Sequence, residues 1–168
     1  MKTVTLTAFD LAEALLIAER IHAIRTVLPS DKERVLTASS FEGDYVGALG
    51  EVAVAKYFGI PHRHGIAAGG DGGVDHTMFD WKVQVKCTPT QVPVPSLIFK
   101  DHDLFSADIA ILTRIKSPTI VELWGCCSKA WYTKHAVRKK FVDREDLHVL
   151  GDALADVDVI KQPRKDAA

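Results

Sequence analysis

The chain has 168 residues, with 21 lysines and arginines against 22 aspartates and glutamates and a formal net charge of −1. That length suits one domain, and a hydrophobic share of 47 % is that of a globular protein with one core. The charge excludes a global field that would coat a polyanion, though not a local basic cluster, and three cysteines without a CxxC pair exclude a disulfide framework and a zinc ribbon.

The N-terminal stretch MKTVTLTAFDLAEALL lacks the apolar core and small-residue cleavage site of a signal peptide. No apolar run reaches membrane-spanning length. A cytoplasmic protein with no membrane association is expected. The first helix is predicted to start at Thr7 as N-cap, with Asp10 three residues on in a near capping box. Leu11, Leu15, Ile17, Ala18, Ile21, Ile24 and Leu28 follow helical spacing, and Pro29 and Ser30 end it. The polar run SDKERVLTASSFEG reads as a short exposed helix or a loop.

A second helix is expected between Asp44 as N-cap and Gly59 as stop, with Pro61 just beyond. Its residues DYVGALGEVAVAKYF are apolar nearly all round, so it should be mostly buried. Gly47, Glu51, Val54 and Phe58 form one column, which puts an acid in a small or apolar stripe. A buried carboxylate needs a cationic partner. The plain alternative is a surface acid or a salt bridge to Lys56.

The loop PHRHGIAAGGDGG follows, then a hairpin: Val74 to Met78, a turn at Phe79 and Asp80, and Trp81 to Cys87. In the second strand Trp81, Val83, Val85 and Cys87 share one face, and Lys82, Gln84 and Lys86 the other. Such a polar row is either a solvated face or a site. The three prolines of TPTQVPVPS confine it to a loop or an edge segment. ADIAILTRI and TIVELWGCC read as strands around a KSP turn, and Ser128 should cap a helical stretch KAWYTKHAVRKKF. Residues 1–160 are taken as one domain and 161–168 as a polar, frayed tail.

Asp75 can lie across the hairpin from the face carrying Gln84 and Lys86, depending on register. With Glu51 this set suits metal-assisted phosphodiester hydrolysis. Two carboxylates, the Gln84 amide and the Val85 carbonyl are hard oxygen ligands matched to magnesium. The ion polarises a phosphoryl oxygen and lowers the pKa of a bound water. Lys86 can orient that water or balance charge on the pentacovalent phosphate.

At these residues, GGVD followed by QVK with an acid on the preceding helix, the chain resembles the PD-(D/E)xK nuclease superfamily. The form GGDGGVD…VQVK is most similar to the catalytic domain of Mrr-type restriction endonucleases. The resemblance covers Tyr45 to Trp131 in outline, with its specific motifs at Glu51 and Gly72 to Lys86. It implies a restriction-endonuclease-like α/β core, a central mixed sheet of four to five strands flanked by helices on both sides. It also implies Glu51 and Asp75 as metal ligands, Gln84 at the second acidic position and Lys86 as the catalytic lysine. The departure is Gln84, where the general pattern has an acid; glutamine keeps the acceptor oxygen and loses a charge.

The expected function is a Mg²⁺-dependent DNA nuclease, with Mn²⁺ as a substitute ion and endonuclease favoured over exonuclease. Paired cuts in duplex DNA would need a homodimer. The alternative is a catalytically silent nucleic-acid-binding module, or a subunit of a larger restriction or replication assembly. For substrate contact the candidates are His62, His64, Lys82, Lys129, Arg138 and Lys139. His62 and His64 lack two further ligands for zinc, which leaves backbone contact or simple exposure. The basic run from Lys129 to Arg144 is either a solvated helix face or a phosphate contact. Trp124, Trp131, Cys126 and Cys127 are expected in the core.

Overall fold

The capping box at the first helix forms as its residues require. In helix α1 (Ala8–Val27) the Asp10 amide donates to Thr7 Oγ1 at 3.3 Å, and the Thr7 amide donates to Asp10 Oδ2 at 2.6 Å. Before it lies a strand absent from the sequence reading, β1 (Lys2–Thr5). These positions come from a computed structural model that describes residues 1–27, 41–61, 73–100, 105–140 and 145–162, with only the main chain of 25–27. Helix α1 buries Ala14, Ile17 and Ala18, while Leu15 of the expected stripe is exposed; Leu28 lies outside the described residues.

Helix α2 (Phe41–Phe58) begins three residues before its expected cap. Asp44 therefore sits inside the first turn. Its buried carboxylate faces His22 Nδ1 of α1 at 3.3 Å instead of capping the helix. The end is as expected. Ile60 N–H donates to the Ala55 carbonyl and Gly59 N–H to that of Lys56, a Schellman closure with Gly59 at φ +65°.

The hairpin β2 (His76–Met78) and β3 (Trp81–Thr88) turns at Phe79 and Asp80, both at positive φ. After β4 (Ser96–Phe99) come β5 (Ile109–Ser117) and β6 (Ile120–Ser128). Ser128 caps α3 (Lys129–His135) through the Trp131 amide. The expected helix stops there: Ala136 is extended, and Val137–Lys140 is a strand, β7, paired with β8 (Glu145–Leu150). Lys161 closes a last 3₁₀ turn, Val157–Lys161, with its ammonium 2.8 Å from Asp158, so it belongs to the fold and not to a frayed tail.

Five strands form a mixed sheet in the order β1-β6-β5-β3-β2, with β3 and β5 parallel and the other pairs antiparallel. This is the α/β architecture expected. Helices α1 and α2 cover one face, over Val83, Val85, Ile109 and Ile111. On the other face lies a second core of Ala110, Leu112, Phe99, Phe105, Tyr132 and Leu147. It is built by α3 together with a three-stranded antiparallel sheet, β4-β8-β7, that the sequence reading did not contain.

Helix α2 approaches the sheet most closely at Gly50, where a Cβ would stand 2.7 Å from both Cys87 Cβ and Thr113 Oγ1. Around Gly47 a Cβ meets nothing within 4 Å. Helix propensity alone favours alanine over glycine by about 1 kcal/mol at either position. Gly47→Ala should therefore stabilise the protein by up to ~1 kcal/mol. Gly50→Ala should reverse the sign and destabilise by about 1–3 kcal/mol, because α2 must lift off β3 and β5. Urea unfolding midpoints of the two variants check this.

Candidate active site

β2 is three residues long and β3 is eight, and among the described residues no strand pairs with the outer edge of β3 beyond Val83. His76 pairs with Val83, and the Asp75 amide donates to the Val83 carbonyl at 2.9 Å. There the chain turns away. The next outward amide on β3, Val85 N–H, is taken by a side chain: it donates to Asp75 Oδ2 at 2.5 Å. In an extended strand the N–H and C=O of one residue point the same way. The Val85 carbonyl thus faces the same edge as the Asp75 carboxylate.

The polar row of β3 is not a solvated face. Lys82 is exposed, but Gln84 is 6 % exposed and Lys86 is half-buried. Gln84 pairs with Ala110 and Lys86 with Leu112, so both side chains belong to the face of the second core. Gln84 lies under Gly73, which holds φ +76°. A Cβ on Gly73 would stand 3.0 Å from Gln84 Nε2 and 2.3 Å from Ser106 Oγ. Only glycine fits both that backbone conformation and that contact. Gln84 Oε1 is buried and finds no hydrogen-bond donor among the described residues. A buried acceptor left unsatisfied costs about 1–3 kcal/mol.

Glu51 comes from the other side. It is half-buried on α2, and its main-chain carbonyl accepts a hydrogen bond from His76 Nε2 at 3.1 Å. Its negative charge also helps raise the Cys87 thiol to about 11, behind the larger effect of burial. Glu51 is thus placed on the Val83–Val85–Cys87 face, while Gln84 and Lys86 are on the opposite one. The structure thus does not bring Glu51 onto the face of Gln84 and Lys86; Asp75 stands at the edge of β3 between the two faces. The plain alternative of a Glu51–Lys56 bridge gains no support, since Lys56 Nζ reaches Asp10 at 2.5 Å.

Of the proposed substrate contacts, Lys82 and Lys129 are brought together by Asp108. The Lys82 amide donates to Asp108 Oδ2, and the Lys129 amide to the Asp108 carbonyl, both at 3.0 Å. Both lysines are exposed on the rim where β3 and β5 begin. Arg138 and Lys139 are also exposed, but on β7 of the second sheet. His62 and His64 lie outside the described residues. Cys126 and Cys127 are buried thiols, each pushed up to about 12 chiefly by burial, which removes them as nucleophiles at neutral pH. Trp124 and Trp131 are half-buried against the second core, as expected.

Sequence reasoning named Gly73 only as part of the GGVD motif and gave no role to Ser106 or His76. The signal for Gly73 was its place directly before Val74 and Asp75, where only a residue without a Cβ lets the loop lie against the glutamine. Ser106 had no local signal, because it arrives from a distant segment.

Asp75, bound to the edge of β3, and the Gln84 amide and Val85 carbonyl of that strand are hard oxygen donors, and the orphaned Oε1 is the kind of acceptor a small divalent cation satisfies. Glu51 could complete the set from the α2 side. Against this, no three His, Cys, Asp or Glu side chains converge among the described residues, so any such site depends on the amide and the carbonyl. Compared with known proteins, the chain matches no family model, no curated protein and no solved structure.

The orphaned oxygen yields a sign prediction. Replacing an unsatisfied buried polar group by an apolar one of similar shape is neutral or stabilising. In EDTA, Gln84→Leu should leave urea stability unchanged or raise it by up to ~2 kcal/mol. Saturating Mg²⁺ should raise the Tm of the unaltered protein and not that of the variant. A loss above ~1 kcal/mol in EDTA would mean that Oε1 has a donor.

Proposed function

We propose that this chain is a metal-dependent nuclease that hydrolyses phosphodiester bonds of DNA at the open edge of β3. The observation that carries the reading is the pairing of the Asp75 carboxylate with the Val85 amide, together with a buried Gln84 oxygen that finds no donor among the described residues. The resemblance of GGVD…QVK to PD-(D/E)xK nucleases points the same way, at the same residues.

Asp75, Gln84 and the Val85 carbonyl, with Glu51, are the residues that would hold a Mg²⁺ ion. When bound, such an ion polarises the phosphoryl group and makes a water easier to deprotonate. The chain's own groups supply the rest. Asp75 is fixed by its bond to the Val85 amide, so its carboxylate needs no reorganisation. Lys86 brings a positive charge to the edge, where it can orient the attacking water or offset charge on the pentacovalent phosphorus. Water oxygen bonds to phosphorus as one of its protons passes to solvent, one P–O ester bond breaks, and the departing oxygen takes up a proton from solvent. No covalent enzyme intermediate forms. Lys82 and Lys129 stand on the adjacent rim, where they can contact backbone phosphates.

One observation favours a second reading. The lack of three converging acidic, histidine or cysteine side chains among the described residues suits a module that keeps the nuclease core and binds DNA without turnover.

Plasmid, linear and branched DNA incubated with Mg²⁺ or Mn²⁺ separate the two. The nuclease reading expects cleavage by the unaltered protein and a loss of about 100-fold or more in both Asp75→Ala and Lys86→Ala. Binding in a gel-shift assay with no cleavage under either metal supports the silent module. Cleavage that survives both substitutions removes the proposed site.

A further inference from the structure

On the second face of β3 the Lys86 ammonium stands 5.1 Å from the centroid of the Phe99 ring. Phe99 is 2 % exposed and lies on β4 opposite Leu147 of β8. Its ring is fixed from two directions. It stacks on Phe105 at 4.8 Å with 5° between the planes, and meets Tyr132 edge-on at 5.1 Å and 74°. Tyr132 is anchored in turn: fully buried on α3, it donates its hydroxyl to the Leu147 carbonyl at 2.6 Å. A helix, two strands and three rings therefore hold one aromatic face beside one lysine.

A lysine side chain has four rotatable bonds and loses much rotamer freedom when held in place. A ring face within about 6 Å attracts an ammonium through its quadrupole, more strongly where water is thin. An aliphatic residue of similar volume would fill the second core but offer no such face. The second sheet thus has a use beyond covering apolar surface.

We propose that Phe99 is a positioning residue for Lys86, seating its ammonium at the edge that Asp75 and Gln84 share. The assignment rests on the nuclease reading for its consequence, but the seat itself can be observed without turnover. Phe99 is held to touch no substrate and to act through the lysine.

Two measurements test it. Incorporating 4-fluoro-, 3,5-difluoro- and 3,4,5-trifluorophenylalanine at position 99 keeps the ring's shape while draining its negative face. Cleavage should fall step by step, by about tenfold at the trifluoro ring, with Tm unchanged, and Phe99→Leu should lose at least as much. Rates that stay flat along the series while the unaltered protein cleaves overturn the proposal. Independently of activity, the Lys86 ε-methylene protons, assigned by their loss in Lys86→Arg, should be shifted upfield by the ring and return to random-coil values in Phe99→Leu. Random-coil values in the unaltered protein overturn the seat. If the unaltered protein cuts no DNA, the nuclease reading falls, and the methylene shift alone decides whether Phe99 seats the lysine.

Discussion

Beyond Val83, no strand among the described residues pairs with the outer side of β3, and the Val85 amide must find an acceptor elsewhere. It finds the Asp75 carboxylate. That bond puts a carboxylate where a rung of the sheet ladder would stand. Everything proposed for this protein depends on the opening. An outward carbonyl at Val85 and a loop that lies over Gln84 at Gly73 accompany a strand that is five residues shorter than its partner. A longer β2 would satisfy the same amide and leave nowhere for the proposed site.

The second constraint is that one sheet separates two cores of different construction. The α2 face is built from small and branched residues, tight enough that Gly50 tolerates no Cβ. The opposite face is aromatic, with Phe99, Phe105 and Tyr132. The alternation of β3 distributes its side chains between them, valines to the helices and Gln84 and Lys86 to the rings. A polar row in that position is costly unless each member is satisfied. Lys86 has a ring face within reach, whereas Gln84 keeps an oxygen without a donor among the described residues. That imbalance sets Gln84 apart from a structural polar residue, because a glutamine with all its hydrogen bonds made loses stability on becoming leucine, and one with an orphaned oxygen does not.

The parts of the fold legible in the sequence were those fixed by local chemistry. Thr7 and Asp10 announced α1, Gly59 ended α2, and a two-residue turn between alternating runs gave the hairpin. Ser128 marked the start of α3. The parts that were not legible are non-local. β4 and β8 are neighbours in space but about 50 residues apart in sequence, and neither has a close turn to betray the pairing. Val137–Lys140 reads as a helix surface because arginine and lysine favour helices, yet cations on an edge strand are also a common guard against stray pairing. Asp44 looked like a cap because caps are the usual post of an aspartate before an apolar helix; its contact with His22 comes from another helix. For the site, the order of residues gave Asp75, Gln84 and Lys86 as neighbours. It gave neither the side of the sheet from which Glu51 arrives nor the glycine and serine that enclose the amide.

Glutamine at position 84 also bears on how a cation could be retained. A carboxylate there would add a negative charge to a pocket already holding Asp75, and it would repel a phosphodiester as it attracts a metal. The amide gives up part of that attraction and with it part of the repulsion. Magnesium is commonly held by one or two carboxylates together with substrate phosphates, and it parts with its waters reluctantly. A site with Asp75, an amide and a main-chain carbonyl fits that pattern better than a dedicated protein cage does. On the proposed reading, ion and nucleic acid then bind with mutual reinforcement, since each brings the charge the other needs. The absence of a three-acid cluster among the described residues is the observation that suits a silent binder, and a nuclease with an amide in place of an acid would share it. What distinguishes them physically is whether a lysine, held beside a ring on the far face of the sheet, reaches the phosphate at the moment its charge rises.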